Sequence, residues 1–332
     1  MEEIQPIVTK HGVTTDVVAL PDEVETFAPS SDRSQADYER EELAKLIRSV
    51  FDSFKPETTF EEMRAGWESM FHGTIPSTGA TSQKVETPDF KGEWITAPEA
   101  ELDRAVVYLH GGGYCIGSIT SYRDMCERLS KATKSRVLAV DYRLAPEHPF
   151  PAALDDAVSA YRWVLSRGIS PQRVAIAGDS AGGNLTLATM FVARESGDPL
   201  PACAVPISPW IDLEHKSESM TTMDELEPMC HKAVLDKCAD LYLPSGDKTS
   251  PLLSALNGDL TGLPPLFVPV GGSETLLDDA RALALKAKEA NVPVELKIYD
   301  RQFHVFQIFA SRMAEAQSAI DDIGRFVLSH IP

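Results

Sequence analysis

The sequence predicts an α/β fold in which a mostly parallel central sheet is flanked by helices. Buried-strand patterns alternate with helical patterns from about residue 104 to residue 299, an order that is typical of repeated β-α-β units. Glycine-rich segments directly follow two of these strands, at residues 110–113 and 178–183. With 332 residues, 43% of them hydrophobic, the chain has ample apolar material for the core of one large domain or two ordinary ones.

Composition excludes several classes of protein. The five cysteines are scattered and form no C-x-x-C pair, which argues against a zinc site or a disulfide framework and fits a reducing compartment. The first residues do not resemble a signal peptide, and no run of eighteen apolar residues occurs. The formal net charge of −19 would repel nucleic acid and anionic lipid. We therefore expect a cytoplasmic protein with no membrane span and no nucleic-acid partner.

Two helices are predicted ahead of the sheet. The first starts near residues 34–38, and the second follows a capping pattern at residues 58–62. Both place apolar side chains on one face, such as Leu43 and Ile47 in the first and Trp67 in the second. The residues leave open whether these helices cover a flank of the core or belong to a lid over a site.

A glycine-rich loop follows the first buried strand. Alternating patterns between Gln83 and Ala97 predict edge strands, and the buried strand at residues 104–109 then leads into His-Gly-Gly-Gly at residues 110–113. Glycines leave backbone N–H groups uncovered, so those of Gly112 and Gly113 can hold the negative charge that develops on a reacting carbonyl. The alternative is a phosphate-binding loop, but neither G-x-G-x-x-G nor G-x-x-x-x-G-K-[ST] is present there.

A β-α-β unit comes next, with a helix at residues 122–132 and a strand at residues 137–140. The charged turn at residues 141–147 is expected to form a structural network rather than to act on a substrate. Prolines prevent a helix in this connection, and the next helix, from residue 152 to residue 167, ends at Gly168.

The segment Gly-Asp-Ser-Ala-Gly at residues 178–182 is the centre of the predicted site. A strand pattern enters it and a helical pattern leaves it. A serine in such a tight strand-to-helix turn has a strained backbone, which is tolerated only if the residues two before and two after it lack Cβ. The turn lifts the hydroxyl clear of the sheet edge. Ser180 is therefore the predicted nucleophile, and a glycine-rich turn with an inert serine is the alternative.

The region from Pro209 to about Ser254 follows another buried strand and has poor periodicity. It is rich in methionine and contains several aromatic residues. We interpret it as an insertion whose side chains either form an apolar wall for a substrate or pack a satellite core.

The last strands are predicted to bring a histidine and carboxylates to one edge of the sheet, because loops at the carboxyl ends of parallel strands line the ligand crevice. His304, in the loop after residues 294–299, is the predicted base. Four carboxylates lie nearby: Glu274, Asp278, Asp279 and Asp300. Glu274 follows the predicted strand at residues 266–270 and its short Gly-Gly-Ser turn, before the next helix leads the chain away from the crevice, and is the predicted acid.

The other three carboxylates have structural interpretations. Asp278 and Asp279 are expected to complement the dipole of the following helix. Asp300 is expected to fix the histidine loop.

These motifs together resemble the hormone-sensitive-lipase-like branch of the α/β-hydrolases, a family of carboxylesterases. The match runs from about Ala105 to the C-terminus and rests on the loop at residues 110–113, on residues 141–152 and on Gly-Asp-Ser-Ala-Gly-Gly at residues 178–183. The order serine, acid, histidine is also that of an α/β-hydrolase. The family commonly has aspartate where this chain has Glu274, and either carboxylate can orient an imidazole.

The resemblance implies a serine esterase with no cofactor and no metal. It implies a helical cap made of residues 1–75 and 209–254, over a core made of residues 76–208 and 255–332. His304 would deprotonate Ser180, which attacks the ester carbonyl while the N–H groups of Gly112, Gly113 and Ala181 hold the oxyanion.

The expected partners are a small-molecule ester and water. Short- to medium-chain acyl esters are predicted, including esters of bulky or tertiary alcohols and lactones. A small-molecule receptor is the rival from another class, since the gibberellin receptor resembles this family without the histidine, but His304 is present here. Amidase or peptidase activity also stays open, and the sequence is compatible with a homodimer.

Overall fold

Eight strands form one sheet in the computed structural model, which describes residues 34–55, 57–71 and 79–332. In chain order they are β1 (Thr81–Glu86), β2 (Lys91–Thr96), β3 (Glu101–Leu109), β4 (Ser135–Asp141), β5 (Val174–Asp179), β6 (Cys203–Ile207), β7 (Leu266–Gly271) and β8 (Val294–Tyr299). Their spatial order is β1-β2-β4-β3-β5-β6-β7-β8. Only the pairings of β2 with β1 and with β4 are antiparallel, and the other five are parallel.

Helices connect the strands and cover the sheet. In the described part of the chain they are α1 (Gln35–Phe51), α2 (Phe60–Ser69), α3 (Ile119–Thr133), α4 (Ala152–Ser166), α5 (Ala181–Ser196), α6 (Ser219–Thr222), α7 (Lys232–Tyr242), α8 (Leu277–Glu289) and α9 (Ala314–His330). Every residue of β5, β6 and β7 is buried, as expected for parallel strands covered on both faces. The predicted α/β fold is confirmed.

The two predicted N-terminal helices are present, and each begins at a capping box. The side chains of Ser34 and Thr59 each accept a hydrogen bond from the backbone N–H of the third residue of the helix that follows, α1 and α2 respectively. The acidic side chain of that third residue accepts a hydrogen bond from the backbone N–H of the cap in return. These reciprocal bonds satisfy N–H groups that a helix start leaves free. The predicted N-terminal segment, residues 1–75, also includes residues 1–33, 56 and 72–75, which lie outside the described residues.

Polar contacts fix α1 and α2 to the loops at the carboxyl edge of the sheet. Arg64 of α2 donates to the carbonyl oxygens of Cys115 and Ala145 and forms a two-pronged ion pair with Glu147. Arg48 of α1 donates to the carbonyl oxygens of Glu225 and Leu226 in the insertion. Both helices therefore lie next to the segments that carry the predicted site.

The predicted network in the turn at residues 141–147 is present. Arg143 forms an ion pair with the buried Asp156 of α4 at 2.7 Å. The hydroxyl of Tyr142 donates to the carbonyl oxygen of His110 at 2.6 Å, which fixes the turn beside the glycine-rich loop.

Three of the described helices, α6, α7 and α9, are not predicted from the sequence. The insertion between β6 and β7 contains α6 and α7, and α7 packs inward through Tyr242, whose ring stacks on Tyr114 at 3.7 Å between centroids. The C-terminal α9 packs on α3, where Gly324 allows its backbone to approach Ala132 so closely that a Cβ would lie 2.6 Å from the carbonyl oxygen. Within the described residues, no helix is both long and apolar enough to cross a membrane.

Candidate active site

Ser180 occupies the strained turn that the sequence predicts. It connects β5 to α5 with φ +55° and ψ −119°, outside the usual regions for a residue with a side chain. A Cβ on Gly178 or Gly182 would overlap the carbonyl oxygen of Leu109, so glycine is required at both positions. The Ser180 N–H donates to the carbonyl oxygen of Ile207 at 2.9 Å, which holds the turn against the next strand.

Asp179, directly before this serine, fixes the glycine-rich loop. Its buried carboxylate accepts hydrogen bonds from the hydroxyls of Tyr108 (2.6 Å) and Tyr122 (2.8 Å) and from the Gly111 N–H (3.0 Å). Burial raises the pKa of Asp179 to about 6, although these hydrogen bonds act in the opposite direction. The sequence does not predict this role of Asp179, because its partners are distant in the chain.

The glycine-rich loop presents free backbone N–H groups. Gly112 and Gly113 have φ values of +106° and +59°, and a Cβ on Gly113 would lie 2.8 Å from the Cys238 sulfur. Among the described residues, no hydrogen-bond acceptor is found for the N–H of Gly112, Gly113 or Ala181. Ala181 is the first residue of α5, where a helix leaves its N–H groups without internal partners. All three groups are therefore available to an anionic oxygen.

Glu274 and His304 form a buried pair. The imidazole Nδ1 lies 2.5 Å from Glu274 Oε2, while Oε1 accepts from the Ser208 hydroxyl at 2.8 Å and from the Gly271 N–H at 2.5 Å. Burial lowers the pKa of His304, but the neighbouring Cys230 and Glu274 outweigh it and raise that pKa well above its usual value. The carboxylate thus fixes the ring and favours its protonated form.

Asp278 and Asp279 lie in the first turn of α8, as predicted, and both also bind the insertion. Asp278 accepts from the Ser219 N–H at 2.8 Å and pairs with Arg281 at 3.0 Å. Asp279 is buried and accepts from the Ile211 N–H at 3.2 Å and the Ser217 hydroxyl at 3.1 Å. Burial raises its pKa to about 7.

Asp300 is exposed and accepts from the guanidinium of Arg301, the next residue, at 3.1 Å. Of the four carboxylates, Glu274 is the one that bonds to the imidazole. A fifth carboxylate, Glu227 of the insertion, is not predicted from the sequence and accepts from the His304 backbone N–H at 2.9 Å.

One cleft brings these groups together. It holds about 510 Å³ of space between protein atoms, its open mouth included. Ser180, His304, Gly112 and Gly113 line it on the side of the sheet. The facing walls come from α1, α2, α7 and the loop before α7, through Phe51, Trp67, Met229, Cys230, Val234, Leu235 and Cys238. Among the described residues, no group of three His, Cys, Asp or Glu side chains is placed to hold a metal ion.

Comparison with known proteins identifies the family of this chain. A family model described as an alpha/beta hydrolase fold matches residues 106–308. An acetyl-hydrolase of Streptomyces hygroscopicus is 45% identical over 235 residues, covering 71% of this chain and 78% of the relative. An esterase of Acinetobacter venetianus is 35% identical over 240 residues, covering 72% and 79%.

Solved structures extend the match to almost the whole chain. An esterase from the bacterial hormone-sensitive lipase family superposes with a TM-score of 0.86 at 43% identity, covering 91% of this chain and all of the other. EstE5, in crystals soaked with p-nitrophenyl butyrate, gives a TM-score of 0.83 at 40% identity and covers 88% and 98%. The chain therefore belongs to the α/β-hydrolases, in their hormone-sensitive-lipase-like branch of carboxylesterases.

Proposed function

We propose that this esterase hydrolyses short- to medium-chain acyl esters with Ser180 as nucleophile, His304 as general base and Glu274 as the acid that orients the base. The N–H groups of Gly112 and Gly113, with that of Ala181, form the oxyanion hole. The observation that carries the proposal is the buried hydrogen bond from Glu274 to His304, a residue that lines the same cleft as Ser180 in its strained turn.

The reaction proceeds in two halves. His304 Nε2 takes the Ser180 proton as the hydroxyl oxygen attacks the ester carbonyl, and the imidazolium then gives that proton to the leaving alkoxide. Water, deprotonated by the same imidazole, attacks the acyl-enzyme and releases the acid. Because Nδ1 faces Glu274 at 2.5 Å, the neutral ring carries its proton on Nδ1 and leaves Nε2 free to accept one.

The oxyanion hole is supported by the backbone. The three N–H groups lack an acceptor within the described residues, so they require no reorganisation when charge develops on the substrate oxygen. Gly112 and Gly113 also carry no side chain that could fill the space beside the carbonyl. Esters of bulky or tertiary alcohols and lactones are therefore included in the proposal.

We assign the cap to residues 1–75 and 209–254. Its described parts supply the apolar walls of the cleft, including Phe51 of α1, Trp67 of α2 and Leu235 of α7. Apolar walls suit an acyl chain, and the modest length of the cap supports an acyl range of roughly C2 to C8 rather than long triglyceride chains.

The test is hydrolysis of a p-nitrophenyl ester series from acetate to palmitate by the wild type, Ser180→Ala and the control Ser166→Ala, whose serine is exposed at the end of α4. Diethyl p-nitrophenyl phosphate should phosphorylate the wild type and the control, one group per chain, and leave Ser180→Ala unlabelled. Labelling of Ser180→Ala, or its retained turnover, would refute the assignment of the nucleophile.

A further inference from the structure

Glu227 is a buried carboxylate that the proposed mechanism does not use. Its side chain is fully excluded from solvent, although it lies in the insertion, far along the chain from every motif of the site. An isolated carboxylate is costly to bury unless its oxygens accept hydrogen bonds. Its environment should therefore reveal what the group does.

Three backbone N–H groups from two segments converge on this carboxylate. Oε2 accepts from the His304 N–H at 2.9 Å, and Oε1 accepts from the N–H groups of Met229 (3.0 Å) and Cys230 (3.2 Å). Met229 and Cys230 line the cleft, as His304 does. The Glu227 side chain thus connects two segments: the loop that carries His304, and the part of the insertion that forms the facing wall of the cleft.

The same carboxylate adds a negative charge near the imidazole. Burial raises the pKa of Glu227, and the charge of His304 acts against this. Such an interaction is reciprocal, so an ionised Glu227 must favour the imidazolium. Within the described residues, Glu274, Cys230 and Asp179 are further titratable groups that interact with His304.

We infer that Glu227 is a positioning residue for this esterase: it fixes the backbone of the histidine loop against the insertion and stabilises the imidazolium that forms as serine is deprotonated. This inference rests on the proposed function, because it assumes that His304 is the base. Glu227 does not line the cleft that holds Ser180 and would receive the substrate carbonyl. Its effect passes through His304.

Two substitutions separate the geometric part from the electrostatic part. Glu227→Gln keeps the length but removes the charge, and its amide NH₂ must face one of the N–H donors. Glu227→Asp keeps the charge but is one methylene too short to reach both segments. Glu225→Gln is the matched control, since Glu225 is two residues earlier and exposed.

The experiment measures kcat, KM and the pH dependence of kcat/KM on p-nitrophenyl butyrate, with active sites counted by diethyl p-nitrophenyl phosphate. For Glu227→Gln we expect kcat per titrated site to fall about 10- to 100-fold, as misplacement of a catalytic group produces, with a small change in KM. The acid limb of its kcat/KM profile should move to lower pH by about 0.5 to 1 unit, because a negative charge near the imidazolium is removed. Glu227→Asp should lose kcat while its acid limb stays in place, and Glu225→Gln should match the wild type.

An unshifted acid limb in Glu227→Gln, whatever its kcat, overturns the inference, and so does wild-type kcat per titrated site in Glu227→Asp. The second criterion holds even if Glu227→Gln fails to fold. Failure of the proposed function is distinguishable, because the wild type would then not be phosphorylated at Ser180. With wild-type labelling intact, either negative result refutes the role of Glu227 alone.

Discussion

Glu274→Gln is the substitution that tests the proposed acid most directly. The two carboxylate oxygens have different partners: Oε1 accepts from Ser208 and Gly271, and Oε2 faces His304 Nδ1. A glutamine that keeps its oxygen on Ser208 and Gly271 must turn its NH₂ toward Nδ1. The imidazole then accepts at Nδ1 and carries its proton on Nε2, the tautomer that cannot accept the serine proton. The opposite orientation directs NH₂ at the Gly271 N–H, which leaves two donors face to face.

Both orientations remove the negative charge that stabilises the imidazolium. We therefore expect kcat to fall by about 10³ to 10⁴, or about 4 to 5.5 kcal/mol of transition-state stabilisation, as when the acid of a serine triad becomes an amide. The assay is turnover of p-nitrophenyl butyrate at saturating substrate, with circular dichroism and thermal unfolding to verify the fold.

Asp278→Asn is the matched comparison. Asn keeps an oxygen for the Ser219 N–H and loses an ion pair with Arg281 that is partly exposed, so kcat should change less than about tenfold. The reverse ranking, with Asp278→Asn the more damaging change, would move the acid to Asp278 and refute our interpretation of this turn.

Three further predictions follow from the same contacts. Ser180→Ala should reduce kcat by several orders of magnitude at an unchanged unfolding temperature; turnover close to wild type would contradict the mechanism. Initial rates across the p-nitrophenyl ester series should be highest for acyl chains of roughly C2 to C8. Strong activation by emulsified long-chain triglyceride would contradict this acyl range and the cap that we assign. The contribution of Asp279 to the free energy of unfolding should fall as pH rises from about 4 to about 7, because burial raises its pKa from 3.8 to about 7 and disfavours its ionised form in the folded state. Urea unfolding at pH 5 and pH 8 should show a smaller fall for Asp279→Asn than for the wild type, and equal falls would refute this account.

The parts of the site that the sequence predicts are those whose conformation depends on a short, continuous stretch of residues. A strand, a serine between glycines and a helix specify the turn at Ser180, since its conformation depends on neighbours within a few residues. The glycine-rich loop at residues 110–113 is local in the same way. The order of the strands along the chain was enough to place Glu274 and His304 at one edge of the sheet.

The parts that the sequence does not predict depend on contacts between distant segments. Glu227 precedes His304 by 77 residues, and its own segment has poor periodicity. Asp179 sits inside the predicted motif, but its function depends on tyrosines of β3 and α3. A cytoplasmic location and a homodimer stay predictions.

The contacts of Arg64 bear on how substrate preference could be redesigned. Its guanidinium joins α2 to Cys115, two residues after the glycine-rich loop, and to Glu147, and α2 also carries Trp67 of the cleft wall. A graft of the N-terminal helices from a relative would therefore replace a support of the catalytic loop together with a wall of the pocket. Such chimeras should retain activity when the arginine and its glutamate are transferred as a pair. An exchangeable module should therefore include both positions.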